Sequence, residues 1–278
     1  MPRVLFWNLN RKVLRDEVSY LAHRHDVDIL ILAEDNVSSL FRLSVLNAHS
    51  PTYFATSTAC ERISIYTTFS DRFISLRHES PYYTFREIHL PALLPFLLVA
   101  IHWKSLMWRS KESQTIALTE IGRIIREEEA SCNHRRTIVV GDFNAEPFEN
   151  GMVAANGLHA VMSHSVAARG QRTLSPFGSY PFFYNPMWSL YGDENDGPPG
   201  TYYRSSSEEL CQFWHMFDQV LVRPELSPHL PRPSVKVVTE AGDTSLVNAS
   251  GHPTLSDHLP LLFTFGLPVA VEIEYEQS

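Results

Sequence analysis

Runs of hydrophobic residues recur along the chain, separated by polar segments. Continuous apolar runs over residues 4–9, 28–33, 96–103 and 137–140 are typical of strands that are buried on both faces. Alternation over 62–67 and β-branched or aromatic enrichment over 72–76 and 82–90 predict strands with one covered face. Further strands are predicted over 213–222, 235–238 and 259–263.

Helical spacing of apolar residues appears between these strands. We predict a helix over residues 11–25, a second over 37–46 with Asn36 as its N-cap, and a short one over 149–156. A long helix begins after Ser110 and runs to about residue 130, with Ile121, Ile124 and Ile125 on its apolar face. Helices and strands therefore do not alternate strictly.

This order of elements predicts an α/β fold in which two mixed β-sheets pack face to face with helices outside them, rather than one parallel doubly wound sheet. No change in composition marks a linker, so we expect a single domain over residues 1–278. Residues 169–207 are rich in proline, glycine, serine and aromatic residues, and they predict a long loop insertion.

Composition narrows the class of protein. The chain of 278 residues is 44% hydrophobic and 19% charged, which is typical of a globular protein. A net charge of −8 argues against a generally basic protein, although a local basic rim would suffice for nucleic acid. Cys60, Cys132 and Cys211 form no CxxC pair, and no signal peptide or bilayer-length apolar run is present. We expect a cytoplasmic protein without membrane contact.

Polar residues stand where the predicted strands end. They are Asn8, Glu34, His102, Asp142 with Asn144, Asp218, and Asp257 with His258. Strand ends at one edge of a layered sheet converge in space, so these side chains are expected to share a cleft. Carboxylates and amides are hard oxygen ligands for Mg²⁺, and imidazoles move protons or stabilise charge. The pattern predicts a metal-assisted site that cleaves phosphate esters.

Several of these segments together resemble a known family. They are Phe6-Trp7-Asn8-Leu9-Asn10, Ile29-Leu30-Ile31-Leu32-Ala33-Glu34, Val99-Ala100-Ile101-His102, Gly141-Asp142-Phe143-Asn144, Phe217-Asp218-Gln219-Val220 and Ser256-Asp257-His258. In this order, and over nearly the whole chain, they resemble the endonuclease/exonuclease/phosphatase (DNase I-like) superfamily. The resemblance implies a four-layer α/β sandwich with the site at one edge.

The resemblance also implies a role for each residue. Glu34 would hold the metal, with Asn8 and Asp257 nearby. Asp142 would position or activate the attacking water, and Asn144 would bind the phosphate. His258, oriented by Asp218, would stabilise or protonate the phosphoryl oxygens. The cofactor implied is Mg²⁺, and oxygen ligation does not separate Mg²⁺ from Mn²⁺.

The residue type at position 102 differs between branches of the superfamily. DNase I, sphingomyelinases and deadenylases have a histidine there, whereas the exonuclease III branch has a tyrosine. The segment around Glu61 resembles the DNase I strand whose glutamate pairs with that histidine, so a Glu61–His102 pair is predicted. The segment at Arg86 resembles a strand whose arginine faces phosphate, which makes Arg86 a predicted substrate ligand.

The sequence departs from the superfamily pattern at two positions. At position 10 this chain has asparagine where some members have aspartate. We therefore expect Asn10 to support the metal ligands rather than bind the metal itself. Asp35 follows Glu34 where several members have a neutral residue.

Basic residues near the predicted strand ends favour nucleic acid as the substrate. They are Arg11, Lys12, Lys104, Arg109 and Lys111, with Arg169, Arg172 and Arg204 flanking the aromatic loop. Lys104 is the basic residue that we predict to bind substrate, because it follows His102 so closely. Lysine and arginine that contact the phosphate backbone give affinity without sequence preference. We therefore favour a nuclease that acts on DNA or RNA with little sequence preference. The sequence gives no reason to infer an obligate protein partner.

Two alternatives remain open at this point. The same chemistry would serve a small-molecule or lipid phosphodiesterase, or a phosphatase. A catalytically silent relative would instead bind a partner through the cleft, although the complete ligand set argues against it. The aromatic residues of the loop insertion either cover the sheet or stack on unpaired bases.

Overall fold

The computed structural model describes residues 1–48, 50–103, 110–209, 211–231 and 233–270. Lys104 and Arg109 therefore lie outside the described residues. Most of the strands belong to two large mixed sheets, of six and seven strands. Within the described ranges, no helix is long and apolar enough to cross a membrane.

The first sheet places Asn8 and Glu34 at one edge. Its strands are β1 (Arg3–Asn8), β2 (Ile29–Ala33), β3 (Phe54–Ala55), β4 (Ile63–Thr67), β16 (Val235–Val237) and β19 (Leu261–Thr264). They lie in the order β16-β19-β1-β2-β4-β3. Because β1 and β2 run parallel, with Asn8 opposite Ala33, both strands end at the same edge. Glu34 follows directly after β2.

The second sheet brings three more site residues to one edge. Its strands are β5 (Ile74–Ser80), β6 (Tyr83–Ile88), β7 (Phe96–His102), β8 (Thr137–Asp142), β9 (Ala160–Val161), β12 (Phe183–Tyr184) and β15 (Asp218–Val222). They lie in the order β5-β6-β7-β8-β15-β12-β9. His102 is opposite Asp142 in the parallel β7–β8 pair, and Asp142 is opposite Asp218 in the antiparallel β8–β15 pair. The register alone therefore aligns these side chains.

Short strand pairs and helices complete the described fold. The pairs are β10 (Gln171–Leu174) with β11 (Gly178–Pro181), β13 (Tyr202–Tyr203) with β14 (Trp214–His215), and β17 (Glu240–Ala241) with β18 (Thr244–Ser245). The helices are α1 (Arg15–Arg24), α2 (Ser39–Leu46), α3 (Lys111–Cys132), α4 (Asn150–Val153) and α5 (His164–Ala167).

Two apolar cores hold the layers together. The first joins both sheets and includes Val18 of α1, and the second joins the other face of the second sheet to α3. Strand β7 contributes to both cores, because Leu98 lies in the first and Val99 in the second. Burying one leucine or valine side chain completely stabilises the folded state by about 1.5–3 kcal/mol. The double burial explains why β7 is a continuous apolar run, and the predicted sandwich of two sheets with outer helices is confirmed.

Several element boundaries differ from the prediction. Helix α1 begins at Arg15 rather than residue 11, because Arg11 and Leu14 adopt the left-handed conformation, with φ of 60° and 32°. Ser38, not Asn36, caps α2 by accepting from the Phe41 amide at 3.2 Å. Ser110 caps α3 as predicted. The predicted strand over 213–222 is two strands, β14 and β15.

The loop insertion at 169–207 contains more regular structure than predicted. It includes the β10–β11 pair, β12, which joins the second sheet, and β13. Phe182 and Phe183 are buried, so these aromatic residues help to cover the sheet. Tyr202 instead lies beside the predicted site, 4.7 Å from the ring centre of His258.

Candidate active site

Polar side chains from both sheets meet at one edge of the sandwich. Asn8, from the first sheet, donates its side-chain amide to Asp142 Oδ2 at 3.0 Å. Asp142 Oδ2 also lies 3.6 Å from His102 Nε2 and 3.8 Å from His258 Nε2. Three predicted residues, Asn8, His102 and His258, therefore surround the carboxylate of a fourth, Asp142.

Asp142 is the centre of this cluster, and both of its oxygens accept hydrogen bonds. Oδ1 accepts from the Asn144 backbone N–H at 2.8 Å and from its side-chain amide at 3.0 Å, while Oδ2 accepts from Asn8. Burial raises the pKa of Asp142 to about 7; the positive charge of His258 opposes this rise, and the Asp218 carboxylate adds to it. A carboxyl group with such a pKa can accept a proton near neutral pH.

Asn144 positions Asp142 rather than offering a free donor. Its residue adopts a left-handed conformation with φ of 48°, which turns the chain after β8. Both hydrogens of its side-chain amide are used, one by Trp103 O at 2.9 Å and one by Asp142 Oδ1. Gln114 in turn donates to the Asn144 backbone carbonyl. The predicted direct donation to phosphate is not supported by this arrangement.

Asp218 and His258 form a buried dyad. Their Oδ2 and Nδ1 atoms are 2.7 Å apart. Burial alone would lower the pKa of His258, but the charge and hydrogen bond of Asp218, followed by the charges of Asp142 and Asp257, raise it to about 9. The ring is therefore an imidazolium at neutral pH, which suits a group that stabilises negative charge on phosphoryl oxygens.

Other contacts fix the dyad. Trp7 donates its indole N–H to the His258 carbonyl at 3.0 Å, and the Asp218 backbone N–H donates to Thr201 Oγ1 at 3.0 Å. The His258 backbone N–H donates to Ser256 Oγ at 3.2 Å, and Ser256 Oγ–H donates to the Asn8 carbonyl at 2.7 Å. The Ser256–His258 turn is thus tied to the end of β1.

Glu34 and His102 meet at the junction of the two sheets. Glu34 adopts a left-handed conformation with φ of 51°, and its Oε1 lies 3.4 Å from His102 Nε2. Burial, followed by the charges of Arg62, His258 and Arg11, lowers the pKa of His102 to about 3. His102 is therefore neutral at neutral pH, so the contact with Glu34 is not an ion pair.

The Glu34 carboxylate suits a divalent cation. Arg11 Nε and Arg62 Nη1 lie 3.6 and 3.7 Å from its oxygens, and no described residue gives the carboxylate a hydrogen bond. Its side chain is 20% exposed and lines a cleft of about 210 Å³. Asn8 Oδ1 accepts one hydrogen bond, from the Asn10 N–H at 3.0 Å, and so retains a lone pair. Asp257, half-buried beside His258, adds another carboxylate to this edge.

A second possible metal cluster at this edge has a different explanation. Atoms of Asp142, Asp218 and His258 lie within 4.8 Å of one another. The Asp218–His258 hydrogen bond and the amides that hold Asp142 already use most of these atoms. We therefore interpret this group as a hydrogen-bonded acid–base set.

The Glu61–His102 pair predicted from the sequence is wrong. Glu61 is exposed in the turn before β4, and His102 lies beside Glu34 and Asp142 instead. Glu61 does line the same cleft as Glu34. The backbone of Asn10, rather than its side chain, supports Asn8.

The predicted role of Arg86 in substrate binding is also not supported. Its buried guanidinium donates to Glu79 at 2.6 Å and to Thr84 at 2.9 Å. In the pairing of β6 with β7, Arg86 lies opposite Leu98, four residues before His102. Burial raises the pKa of Glu79, but hydrogen bonds from Thr58, the Ala59 amide and Thr84, together with the Arg86 charge, lower it overall. Arg86 and Glu79 form a structural ion pair.

Some supporting residues were not predicted as site residues. They are Gln114, Thr201, Tyr202 and Arg62. Glu146 and His215 form another pair near the site, with Oε1 and Nδ1 2.6 Å apart. These residues come from helix, loop and short-strand segments whose approach to the site depends on tertiary packing. The only sequence signal among them is the aromatic composition of the loop that contains Tyr202, and it does not indicate which ring lies at the site.

Comparison with known proteins gives structural matches. No protein-family model matches this chain, and no curated protein matches it. A truncated TDP2 from Caenorhabditis elegans matches with a TM-score of 0.55 and 17% identity over 95% of this chain and 97% of that one. The endonuclease domain of TRAS1, a telomere-specific non-LTR retrotransposon, matches with a TM-score of 0.54 and 15% identity, over 97% and 100% of the two chains.

A third match is the 3′ phosphatase NExo from Neisseria, bound to product DNA hairpin. Its TM-score is 0.58 at 14% identity, and the match covers 96% of this chain and 100% of that one. At such identities the similarity concerns the fold. The resemblance found in the sequence motifs is confirmed at that level: the chain has the DNase I-like α/β sandwich fold of the endonuclease/exonuclease/phosphatase superfamily.

Proposed function

We propose that this protein is a divalent-metal-dependent phosphodiester hydrolase. The observation that carries the proposal is the buried cluster at the edge of the sandwich, where Asn8 and Asp142 join the two sheets and His258 pairs with Asp218. Burying several ionisable groups together is costly unless they are paired, and such groups cluster at functional sites. Glu34, Asn8 and Asp257 are the proposed metal ligands.

The bound cation, which we propose to be Mg²⁺ with Mn²⁺ as a substitute, would neutralise charge on the phosphate. In the mechanism that we propose, Asp142 accepts the proton of the attacking water, because its pKa lies near neutrality. His258, held by Asp218 and charged at neutral pH, stabilises the phosphoryl oxygens and donates to the leaving oxygen. Asn8 and Asn144 keep Asp142 in place for the proton transfer.

Nucleic acid is the proposed substrate. Arg11 is 72% exposed beside Glu34, so it can reach a phosphate next to the cleaved one. Tyr202 presents an aromatic ring beside His258, where a base can stack. Among the matched proteins of this fold, one is the endonuclease domain of TRAS1 and another, NExo, is bound to product DNA hairpin. We infer little sequence preference, because the proposed contacts are to phosphates and ring faces.

A substrate panel tests the proposal. Plasmid, single-stranded DNA, RNA and bis-p-nitrophenyl phosphate are each incubated with the protein in Mg²⁺, Mn²⁺ or EDTA. We expect cleavage of at least one nucleic acid, abolished by EDTA and by Asp142→Ala. Asp243→Ala, at an exposed turn residue, is the matched control and should remain active.

Other results would redirect or reject the proposal. Cleavage of only the small ester would reject the nuclease and leave a small-molecule phosphodiesterase. Equal activity of wild type and Asp142→Ala would reject the proposed site. No hydrolysis of any substrate would favour a silent binding protein.

A further inference from the structure

A second group of metal-ligating side chains lies away from the active site. It consists of Glu87 on β6, Cys132 at the end of α3, and His134 in the turn that follows. One ligand atom from each lies within 4.8 Å of the others. Glu87 and His134 are buried, and Cys132 is half-buried.

The fold places this group at the opposite edge of the second sheet. Glu87 pairs with Leu97 near the start of β7, whereas His102 ends that strand, about 16 Å further along at 3.3 Å per residue. Asn133 adopts a left-handed conformation with φ of 56° and ends α3, so that the chain reverses between Cys132 and His134. The reversal brings both side chains to Glu87.

The distance between His134 and Glu87 fits two ligands of one metal ion better than a hydrogen bond. His134 Nε2 is buried, no described residue forms a hydrogen bond with it, and it lies 3.4 Å from Glu87 Oε1. That separation exceeds the usual 2.7–3.2 Å or so of an N–H···O bond. Two ligands about 2.0–2.1 Å from a tetrahedral Zn²⁺ are themselves about 3.3–3.4 Å apart. The histidine–glutamate spacing therefore matches one edge of such a site.

Charge balance also permits a cation. Arg77 donates to Glu128 at 3.2 Å and to Ser131 at 2.6 Å, while its Nη1 lies 3.6 Å from Glu87 Oε2, the oxygen that does not face His134. Arg136 donates to Pro95 O and lies 3.8 Å from Glu225. Both arginines are therefore paired with other groups. The Glu87 carboxylate and the Cys132 thiolate would then offset the charge of a divalent ion.

We propose that Glu87, Cys132 and His134 form a structural Zn²⁺ site, with His89 or water as the fourth ligand. His89 Nε2 lies 3.5 Å from Glu87 Oε2 on an exposed side chain, so it can move toward the ion. The spacings are Glu87-x-His89 and Cys132-x-His134. The site would fasten the end of α3 to β6, and mixed sulfur, nitrogen and oxygen ligation suits Zn²⁺.

Binding has two chemical consequences within the site. Burial, with the charge of Glu87, raises the pKa of the Cys132 thiol to about 11, so the metal displaces a proton from sulfur and this proton leaves to solvent. His134 Nδ1 accepts from the Arg136 N–H at 3.2 Å. Coordination through Nε2 places the ring proton on Nδ1, and this long hydrogen bond is given up.

Cobalt substitution tests the proposal, because Co²⁺ reports thiolate ligation by its charge-transfer absorption. The purified chain is stripped with a chelator and titrated with Co²⁺ and then Zn²⁺ in the presence of excess Mg²⁺. We expect a thiolate-to-Co²⁺ band that saturates at one ion per chain and disappears as Zn²⁺ displaces Co²⁺. The band should be absent in Cys132→Ser and retained in Cys211→Ser, which changes another cysteine.

Two further variants separate the outcomes. His134→Gln removes a proposed direct ligand. Loss of an outer-shell partner alone lowers metal affinity by about 10–100-fold, so the Zn²⁺ affinity of this variant should fall by at least that factor. Glu34→Gln removes a proposed active-site ligand, and it should keep the thiolate band whether or not the protein is a hydrolase. Absence of the band in folded wild type, or its persistence in Cys132→Ser, would overturn the zinc site.

Discussion

Replacement of Asp218 by asparagine tests the most tightly held contact of the active site. The change keeps the shape of the side chain but removes its charge. In the native protein Asp218 Oδ2 lies 2.7 Å from His258 Nδ1, and both side chains are buried. Asparagine can still accept from the ring N–H, but it offers no charge to an imidazolium. We therefore expect His258 to keep its position and lose most of its positive charge.

The expected loss follows from the strength of such a bond. A hydrogen bond to a charged group contributes about 1.5–3 kcal/mol. If His258 acts as an imidazolium in the transition state, this energy corresponds to a fall in kcat of about 10- to 150-fold. KM should change little, because Asp218 is fully buried and so is not exposed to a bound substrate.

A double-mutant cycle measures the coupling. Hydrolysis of bis-p-nitrophenyl phosphate is compared for wild type, Asp218→Asn, His258→Asn and the double variant. Residues that act as one unit are strongly non-additive, so the double variant should be no slower than His258→Asn alone. Additive losses, or an Asp218→Asn variant with wild-type kcat, would refute the role assigned to this dyad.

Three predictions concern the fold. Arg42→Met leaves Asp35 buried without its partner, which should lower the free energy of unfolding by about 3–5 kcal/mol in urea titration; a loss below 1 kcal/mol or so would contradict this. Glu79→Gln should cost about 3 kcal/mol at neutral pH. Because the folded-state pKa of Glu79 lies below its ordinary 4.5, this difference from wild type should persist above that pH and vanish in stronger acid. Gly141→Ala should destabilise the protein by about 3 kcal/mol, since its Cβ would lie 1.8 Å from Ile101 O, and normal stability would disprove that close approach.

The strand ends that build the site could be predicted from the sequence. Apolar runs set the positions of β1, β2, β7 and β8, and the polar residue after each run falls where the strand ends. Parallel pairing then aligns those ends, so His102 and Asp142 become neighbours without any special local signal. This is why the polar pattern led to the right edge of the sandwich.

Side-chain partners could not be predicted in the same way. Glu34 reaches His102 because a left-handed residue turns the chain there, and neither strand pattern nor propensity indicates such a residue for a glutamate. Arg86 is held by Glu79, a residue of the neighbouring strand β5, and a bulge shifts the pairing between these strands. Contacts of this kind depend on register, which an apolar run does not fix.

The approach of Tyr202 to His258 illustrates a longer-range effect. The β13–β14 pair lies within or just beyond a segment with little periodicity, and its position depends on contacts such as the Thr201 hydroxyl with the Asp218 amide. Composition indicated an aromatic loop there. It did not indicate which ring would lie against the site.

Metal binding by Glu34 decides whether residues from both sheets assemble one cation-dependent hydrolytic site. Mn²⁺ binding is measured by isothermal titration in Cys132→Ser, where the proposed zinc site is disabled, with and without Glu34→Gln, and with Glu127→Gln as an exposed control. We expect Glu34→Gln to abolish both Mn²⁺ binding at the cleft and metal-dependent hydrolysis, and Glu127→Gln, at an exposed side chain, to change neither. Unchanged Mn²⁺ affinity and hydrolysis in Glu34→Gln would contradict the proposed site.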